Sequence, residues 1–208
     1  MFSSSFCIFA ENQPINENPT ICELAEQVKK TNNTTVLDAG NKNVTSQFLL
    51  WYGTVKSEQE ILEYMDKNHY SFYTLIDHKK SSSAARSFES KYASQVFVDS
   101  FAANLIDDQP YTVRYTTTVS GNISYNANTY SVVQIYGTRV FTTYSGNYPL
   151  FVNFYADGYS ISTSTSSDKS VGYVTGYSSL YATLYPDNPI VSTTRMLRRA
   201  SHTLAIHV

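Results

Sequence analysis

The chain has little cysteine, little charge and little tryptophan. Of its 208 residues, 2 are cysteine and 1 is tryptophan, and 15% carry a formal charge, against about 25% in ordinary soluble domains. If Cys7 is removed with an N-terminal signal, Cys22 is the one cysteine that remains, so we expect no intramolecular disulfide framework. The formal net charge of −2 gives no field of one sign, so we expect no nucleic-acid partner.

Long apolar runs and catalytic motifs are also missing. No stretch of the sequence approaches the roughly 18 apolar residues of a membrane-spanning helix, so we expect no transmembrane helix. No phosphate-binding loop, catalytic triad signature or paired metal ligands stand at the required spacing. The sequence therefore assigns no enzymatic activity and predicts no cofactor and no metal site.

The N-terminal segment combines apolar and small residues up to Ala10 and becomes polar at Glu11. This change predicts the remnant of a signal peptide that is cleaved after Ala10. Because a basic start is missing, we expect Met1 to lie inside a longer signal sequence; an ordinary apolar strand is the alternative. Residues 1–19 are thus interpreted as signal remnant and flexible leader, and the protein as secreted. In composition the chain resembles secreted proteins of Gram-positive bacteria.

Residues 20–109 are predicted to be mainly helical. A first helix is expected to start at Thr20 and run to Lys30, and the capping box Ser57–Glu60 starts another. Residues 71–76 are a candidate strand. The aromatic and aliphatic residues of 84–106 favour a long helix with one apolar stripe, with a strand at 95–98 as the alternative.

Residues 110–208 are predicted to form an antiparallel β domain with a C-terminal tail, because the apolar period changes from 3.6 to 2 after Pro110. Strands at 111–119 and 123–129 are expected to form a hairpin around Ser120–Asn122. Further hairpins are expected at Gly137 and at Asp157–Gly158, and a last strand at 201–207. The predicted fold class is α+β, a helical N-terminal part followed by an antiparallel β-sandwich or open barrel.

One residue carries a possible covalent chemistry. Cys22 lies near a predicted helix N-terminus, a setting that lowers a thiol pKa and is used by cysteine hydrolases. The alternative is a small buried apolar residue. Asp66 and the pair Asp107–Asp108 lack the spacing of a calcium loop, and the pair is expected to end a helix.

Tyrosine is the one abundant residue type with a functional reading, with 18 in the chain. Its flat ring and polar tip suit carbohydrate stacking and protein interfaces. The alternative is that tyrosine fills cross-strand pairs because of its β propensity. Four tyrosines of the β half are candidate binding residues, two of them (Tyr148 and Tyr177) because they were expected in turns: Tyr144, Tyr148, Tyr159 and Tyr177.

Three functions remain open. The first is a secreted binding protein whose partner is an extracellular glycan, the cell wall or another protein; its oligomeric state is not predicted. The second is a β-type pore-forming toxin or bacteriocin-like protein, in which Thr112–Asn128 inserts as an amphipathic hairpin. The third is a hydrolase with an unrecognised site, and one version of this hypothesis has Cys22 as the nucleophile.

Overall fold

The computed structural model describes residues 19–54, 56–78, 88–106, 109–145, 152–184 and 192–208. Within these residues the chain forms three short helices, α1 (Ile21–Lys30), α2 (Thr45–Trp51) and α3 (Glu58–Asn68). It also forms eight strands, β1 (Thr34–Leu37), β2 (Ser71–His78), β3 (Phe88–Ile106), β4 (Gln109–Asn126), β5 (Ser131–Ser145), β6 (Val152–Thr165), β7 (Val171–Leu184) and β8 (Thr193–His207). The chain divides into two compact units, Met1–Thr74 and Leu75–Val208.

Capping boxes start two helices of the first unit. The side chains of Thr20 and Ser57 accept hydrogen bonds from the backbone N–H of Glu23 and Glu60, and both carboxylates accept bonds back from the cap N–H. Each box satisfies N–H groups that a helix end leaves unpaired. The predicted starts of α1 and α3 are confirmed, and α3 ends at Asn68, before His69 turns left-handed with φ 54°.

The core of the first unit forms around Phe48 of α2. Its ring stacks on Tyr52, with centroids 5.4 Å apart, and meets Phe72 of β2 edge-on at 5.5 Å. All three side chains are buried, together with Ile61 of α3. The apolar run at residues 47–52 is therefore the last part of α2 and its C-cap.

The strands follow one another in the sheets in the same order as in the chain. One sheet has the order β1-β2-β3-β4-β5 and the other β6-β7-β8. β4 pairs antiparallel with both β3 and β5, and β7 pairs antiparallel with both β6 and β8. The structure thus bears out a mixed α+β fold that is mostly antiparallel, with two sheets that do not close.

The long helix predicted for residues 84–106 is wrong. The described part of it is the 19-residue strand β3, which pairs with β4 from Phe88 to Ile106, and residues 84–87 lie outside the described residues. Val96 and Val98 are both buried. β-Branched residues in that spacing suit a paired strand, and ladder pairing along the whole length of β4 decides the outcome. Three strands, β1 to β3, therefore lie in the region predicted to be mainly helical.

Three glycines that the sequence presents as turn residues lie inside strands, so the hairpins predicted there are wrong. Gly121 lies in the middle of β4, where an added Cβ would stand 3.1 Å from Cγ2 of Val174 in the other sheet. Gly137 and Gly158 have φ of 59° and 63° at register shifts, which is the backbone of a β-bulge. The predicted last strand is confirmed as the second half of β8.

The two sheets of the second unit contact each other through small residues of β7. A Cβ added at Gly176 would lie 2.6 Å from Cγ2 of Val140 in β5. The hydroxyls of Thr142 and Ser178 are 3.0 Å apart, and both residues are buried. Leu180 is buried in a cluster with Tyr115 of β4. One face of β7 is therefore the core face, and its other face points away from the first sheet.

Candidate functional site

The outward face of β7 carries three tyrosines at intervals of four residues. Tyr173, Tyr177 and Tyr181 alternate with inward residues such as Val174 and Leu180, which are fully buried. At the rise of an extended strand, each interval is about 13 Å. Tyr177 is 41% exposed, and the other two are half-buried. A row of ring surfaces thus runs along the middle strand of the three-stranded sheet.

A fourth tyrosine and a methionine widen one end of this row. Tyr155 of β6 pairs with Tyr181 in register, and their rings stack with centroids 5.2 Å apart and planes 12° apart. Met196 of β8 pairs with Tyr181 from the other side and is 48% exposed. We call the outward surface of Tyr155, Tyr173, Tyr177, Tyr181 and Met196, with the hydroxyl residues between them, the tyrosine face.

Hydroxyl side chains separate the rings of the tyrosine face. Thr175 lies between Tyr173 and Tyr177, and its hydroxyl is 2.9 Å from that of Thr203 in β8. Ser179 lies between Tyr177 and Tyr181. The flanking strands place further hydroxyls beside β7, opposite the same outward positions: Ser160, Ser162, Ser164 and Ser201. Apolar ring surface and hydroxyl groups therefore alternate along the face.

Charge is scarce on the tyrosine face. Between Tyr173 and Thr183, the outward positions of the three strands hold a single acidic and a single basic side chain, Asp157 and Arg199. Both stand in the row of Ser179, on opposite sides, so the two opposite charges balance. A ligand on this face meets rings and hydroxyls, with no net charge to attract an ion.

Two of the four predicted binding tyrosines, Tyr144 and the 40% exposed Tyr159, make hydrogen bonds between β5 and β6. The Tyr144 hydroxyl in β5 donates to the backbone carbonyl of Tyr155 at 3.2 Å, and its ring packs against Phe154. The Tyr159 hydroxyl in β6 donates to the carbonyl of Thr142 in β5 at 3.4 Å, and partial burial raises the pKa of Tyr159. The two residues thus tie β5 and β6 together in both directions.

The remaining two predicted binding tyrosines are Tyr177 and Tyr148, and the structure describes the position of Tyr177 alone. Tyr177 lies on the tyrosine face, but in the middle of β7 and not in the turn that the sequence favoured. Tyr148 lies outside the described residues. Sequence reasoning did not select Tyr155, Tyr173 and Tyr181. The signal was the alternation over residues 173–183, in which every second residue is Tyr, Ser or Thr and those between are small or aliphatic.

Cys22 is disulfide-bonded, which overturns its reading as a nucleophile with a free thiol. A disulfide sulfur is no thiolate, and the thiolate is the reactive form. The chain's other cysteine, Cys7, lies outside the described residues. The pore hypothesis describes Thr112–Asn128 as a hairpin, but residues 112–126 belong to the single strand β4. Val113 and Ile123 of this strand are buried in the core.

Two classes of site are not seen in the described part of the chain. No three His, Cys, Asp or Glu side chains group there in a way that would hold a metal ion. None of the three helices described is long and apolar enough to cross a membrane. Asp107 and Asp108, considered above as metal ligands or a helix end, lie outside the described residues.

Comparison with known proteins gives no family. No protein-family model matches the chain, and neither the curated proteins nor the solved structures contain a match.

Proposed function

We propose that the protein is a secreted binding protein with a β-sandwich domain, and that it binds its ligand on the tyrosine face. The observation that carries the proposal is the row of Tyr173, Tyr177 and Tyr181 on one outward sheet face. If β propensity alone explained the tyrosines, we would expect them on both faces of a strand. All three tyrosines of β7 lie on its outward face.

The sandwich part of the proposal rests on contacts between the sheets. Added Cβ atoms at Gly172 and Gly176 would stand 2.9 Å and 2.6 Å from side-chain atoms of Ile123 and Val140. Tyr144 and Tyr159 bond across the same two sheets. Two sheets that share a core through their inner faces leave the outer face of β6-β7-β8 available to a ligand.

The disulfide of Cys22 supports secretion, because disulfides persist mainly in oxidising compartments outside the cytosol. The scarcity of charge and the abundance of Ser, Thr and Tyr are in keeping with an extracellular β protein. Cleavage after Ala10, however, would remove Cys7 and leave Cys22 without a partner in its own chain. Secretion and that particular cleavage site are therefore separate proposals.

The test compares two tyrosines of equal exposure. Tyr177 and Tyr136 are 41% and 40% exposed, but Tyr136 lies on β5, away from the tyrosine face. The full chain is incubated with purified Gram-positive cell walls and on a glycan array. We expect Tyr177→Ala to lose binding and Tyr136→Ala to keep it. Equal binding by both variants, or no binding by the unmodified chain to either probe, would overturn the proposal.

A further inference from the structure

We propose that the ligand of the tyrosine face is a linear, uncharged polysaccharide that lies along β7 and spans Tyr173, Tyr177 and Tyr181. This inference rests on the proposed function and names the ligand class. The face offers a repeated pattern along one direction, and a polymer with a repeating unit is the ligand that matches such a pattern. Three properties of the face favour this class of ligand: its charge, the distribution of its apolar surface and the direction of its row of rings.

Charge excludes an ionic ligand. The outward positions around β7 between Tyr173 and Thr183 hold only Asp157 and Arg199, of opposite sign and in the same row. An anionic polymer such as nucleic acid or an acidic polysaccharide binds through clusters of Lys and Arg. A neutral surface of hydroxyls and rings is complementary to a neutral chain of hydroxyls and C–H faces.

The distribution of apolar surface favours a saccharide over a protein. Protein interfaces concentrate their binding energy in a central, fully desolvated apolar cluster. On the tyrosine face, two polar rows interrupt the apolar surface after every ring: the hydroxyl row of Ser162, Thr175 and Thr203, and the row in which Asp157 and Arg199 flank Ser179. A sugar ring has an apolar C–H face and a rim of hydroxyls, so a chain of sugars presents the same alternation.

The direction follows from the positions of the rings. Tyr173, Tyr177 and Tyr181 lie on one strand, so the row runs parallel to β7 over about 27 Å at the rise of an extended strand. Across the sheet, Tyr173 and Tyr177 are flanked by Ser164 and Ala205, and by Ser160 and Ser201. These short neighbours leave the two ring surfaces accessible. A ligand running across the strands would reach one ring at Tyr173 or Tyr177, and at Tyr181 two rings, those of Tyr181 and Tyr155, whereas a ligand along β7 reaches three.

The test measures affinity against ligand length. The full chain is titrated with chitin oligosaccharides of increasing length and run in affinity gels that contain hydroxyethylcellulose or the acidic polymer polygalacturonate. We expect affinity for at least one neutral polymer to rise with length until the oligomer spans all three rings, to be insensitive to salt, and to be absent for polygalacturonate. Each of Tyr173→Ala, Tyr177→Ala and Tyr181→Ala should weaken binding about tenfold, and Tyr136→Ala should not.

Several outcomes would overturn the inference, and they separate it from the proposed function. Binding to cell walls that needs Tyr177 but disappears after the walls are treated with protease would identify a protein ligand; the proposed function would stand and this inference would fall. Tyr177-dependent binding that weakens steeply with salt, or affinity independent of oligomer length, would also remove it. Should Tyr177→Ala leave all binding unchanged, both proposals fail together.

Discussion

The imidazole Nε2 of His202 in β8 lies 3.1 Å from the carboxylate Oδ2 of Asp99 in β3, so this pair joins the two sheets of the second unit. Both atoms are cut off from solvent, and among the described residues neither has a partner in hydrogen-bond geometry, so the 3.1 Å contact is the polar contact that each of them makes. The imidazole also stacks on Phe97, with ring centroids 4.5 Å apart. Each atom therefore depends on the other for its polar contact.

We expect a double-mutant cycle on His202→Ala and Asp99→Ala to give a coupling energy of about 1 kcal/mol. The loss of stacking on Phe97 cancels in the cycle, because it occurs in both mutants that lack His202. The free energy of unfolding is measured in urea. His207→Ala, at an exposed position at the end of β8, is the control and should change little. A coupling energy near zero would show that the pair contributes nothing.

Gly176 is expected to be the substitution site that best reports the contact between the sheets. A methyl group there would stand 2.6 Å from Cγ2 of Val140, so Gly176→Ala should lower the free energy of unfolding by about 1–3 kcal/mol through overpacking. Removing the opposing methyl groups with Val140→Ala should recover part of the loss in the double variant.

The matched control for this substitution is Gly53→Ala. An added Cβ at Gly53 meets its nearest atom at 3.6 Å, so stability should change by less than about 0.5 kcal/mol. Equal stability of the two alanine variants, or a Val140→Ala background that makes Gly176→Ala worse, would contradict the close approach of β7 and β5.

Tyr125 makes stability depend on alkaline pH. Burial, followed by the hydrogen bond that its hydroxyl donates to Glu89 at 2.5 Å, raises the pKa of Tyr125 from 10.0 to about 12. A raised pKa means that the folded state prefers the neutral phenol. This contribution is fully present below pH 10.0, the unfolded value, and is lost as the pH rises through about 12.

Tyr125→Phe should therefore lower the free energy of unfolding at neutral pH by about 1 kcal/mol and flatten its decline between pH 10 and about 12. Urea unfolding at a series of pH values measures both effects, and Tyr136→Phe, at an exposed ring, is the control. An unchanged alkaline slope in Tyr125→Phe would assign the decline to other groups.

The disulfide of Cys22 and cleavage after Ala10 exclude each other in one chain, because cleavage with loss of the leader removes Cys7. We expect intact-mass measurement of secreted, unreduced protein to find both cysteines without reactive thiols. N-terminal sequencing of the same material decides the matter: a chain that starts at Glu11 with a free Cys22 thiol would restore the signal-peptide cleavage site and contradict the disulfide.

The elements predicted correctly from the sequence are those specified locally. The capping boxes at Thr20 and Ser57 lie within four residues of the helix starts they determine, so no knowledge of the tertiary fold was needed. The helix predicted for residues 84–106 was wrong because residues 88–106 contain apolar residues at both helical and strand spacing. Pairing with β4, which is a long-range interaction, decides in favour of a strand.

The wrong hairpin predictions at glycines and the incomplete prediction of the tyrosine face have a related cause. Gly121 is explained by Val174, more than fifty residues away in the sequence, so its role in packing could not be distinguished from a turn. In the same way, the sequence around Tyr144 and Tyr177 does not distinguish a buried ring from an exposed one. The sheet arrangement shows that the Tyr144 ring packs inward and the Tyr177 ring faces out. Tyr177 was among the predicted binding residues. Selecting Tyr173 and Tyr181 as well required knowing which alternate residues of β7 face outward.

The order of the strands bears on how the domain folds. Every strand pair of the second unit whose register is described joins neighbours in the chain, β3 with β4, β4 with β5, β6 with β7 and β7 with β8. Closing such short loops costs less chain entropy than pairing distant segments. We therefore expect two hairpin-built meanders to form early and independently, and the docking of β7 onto β4 and β5 through its small residues to be the late step that commits the chain to its native state.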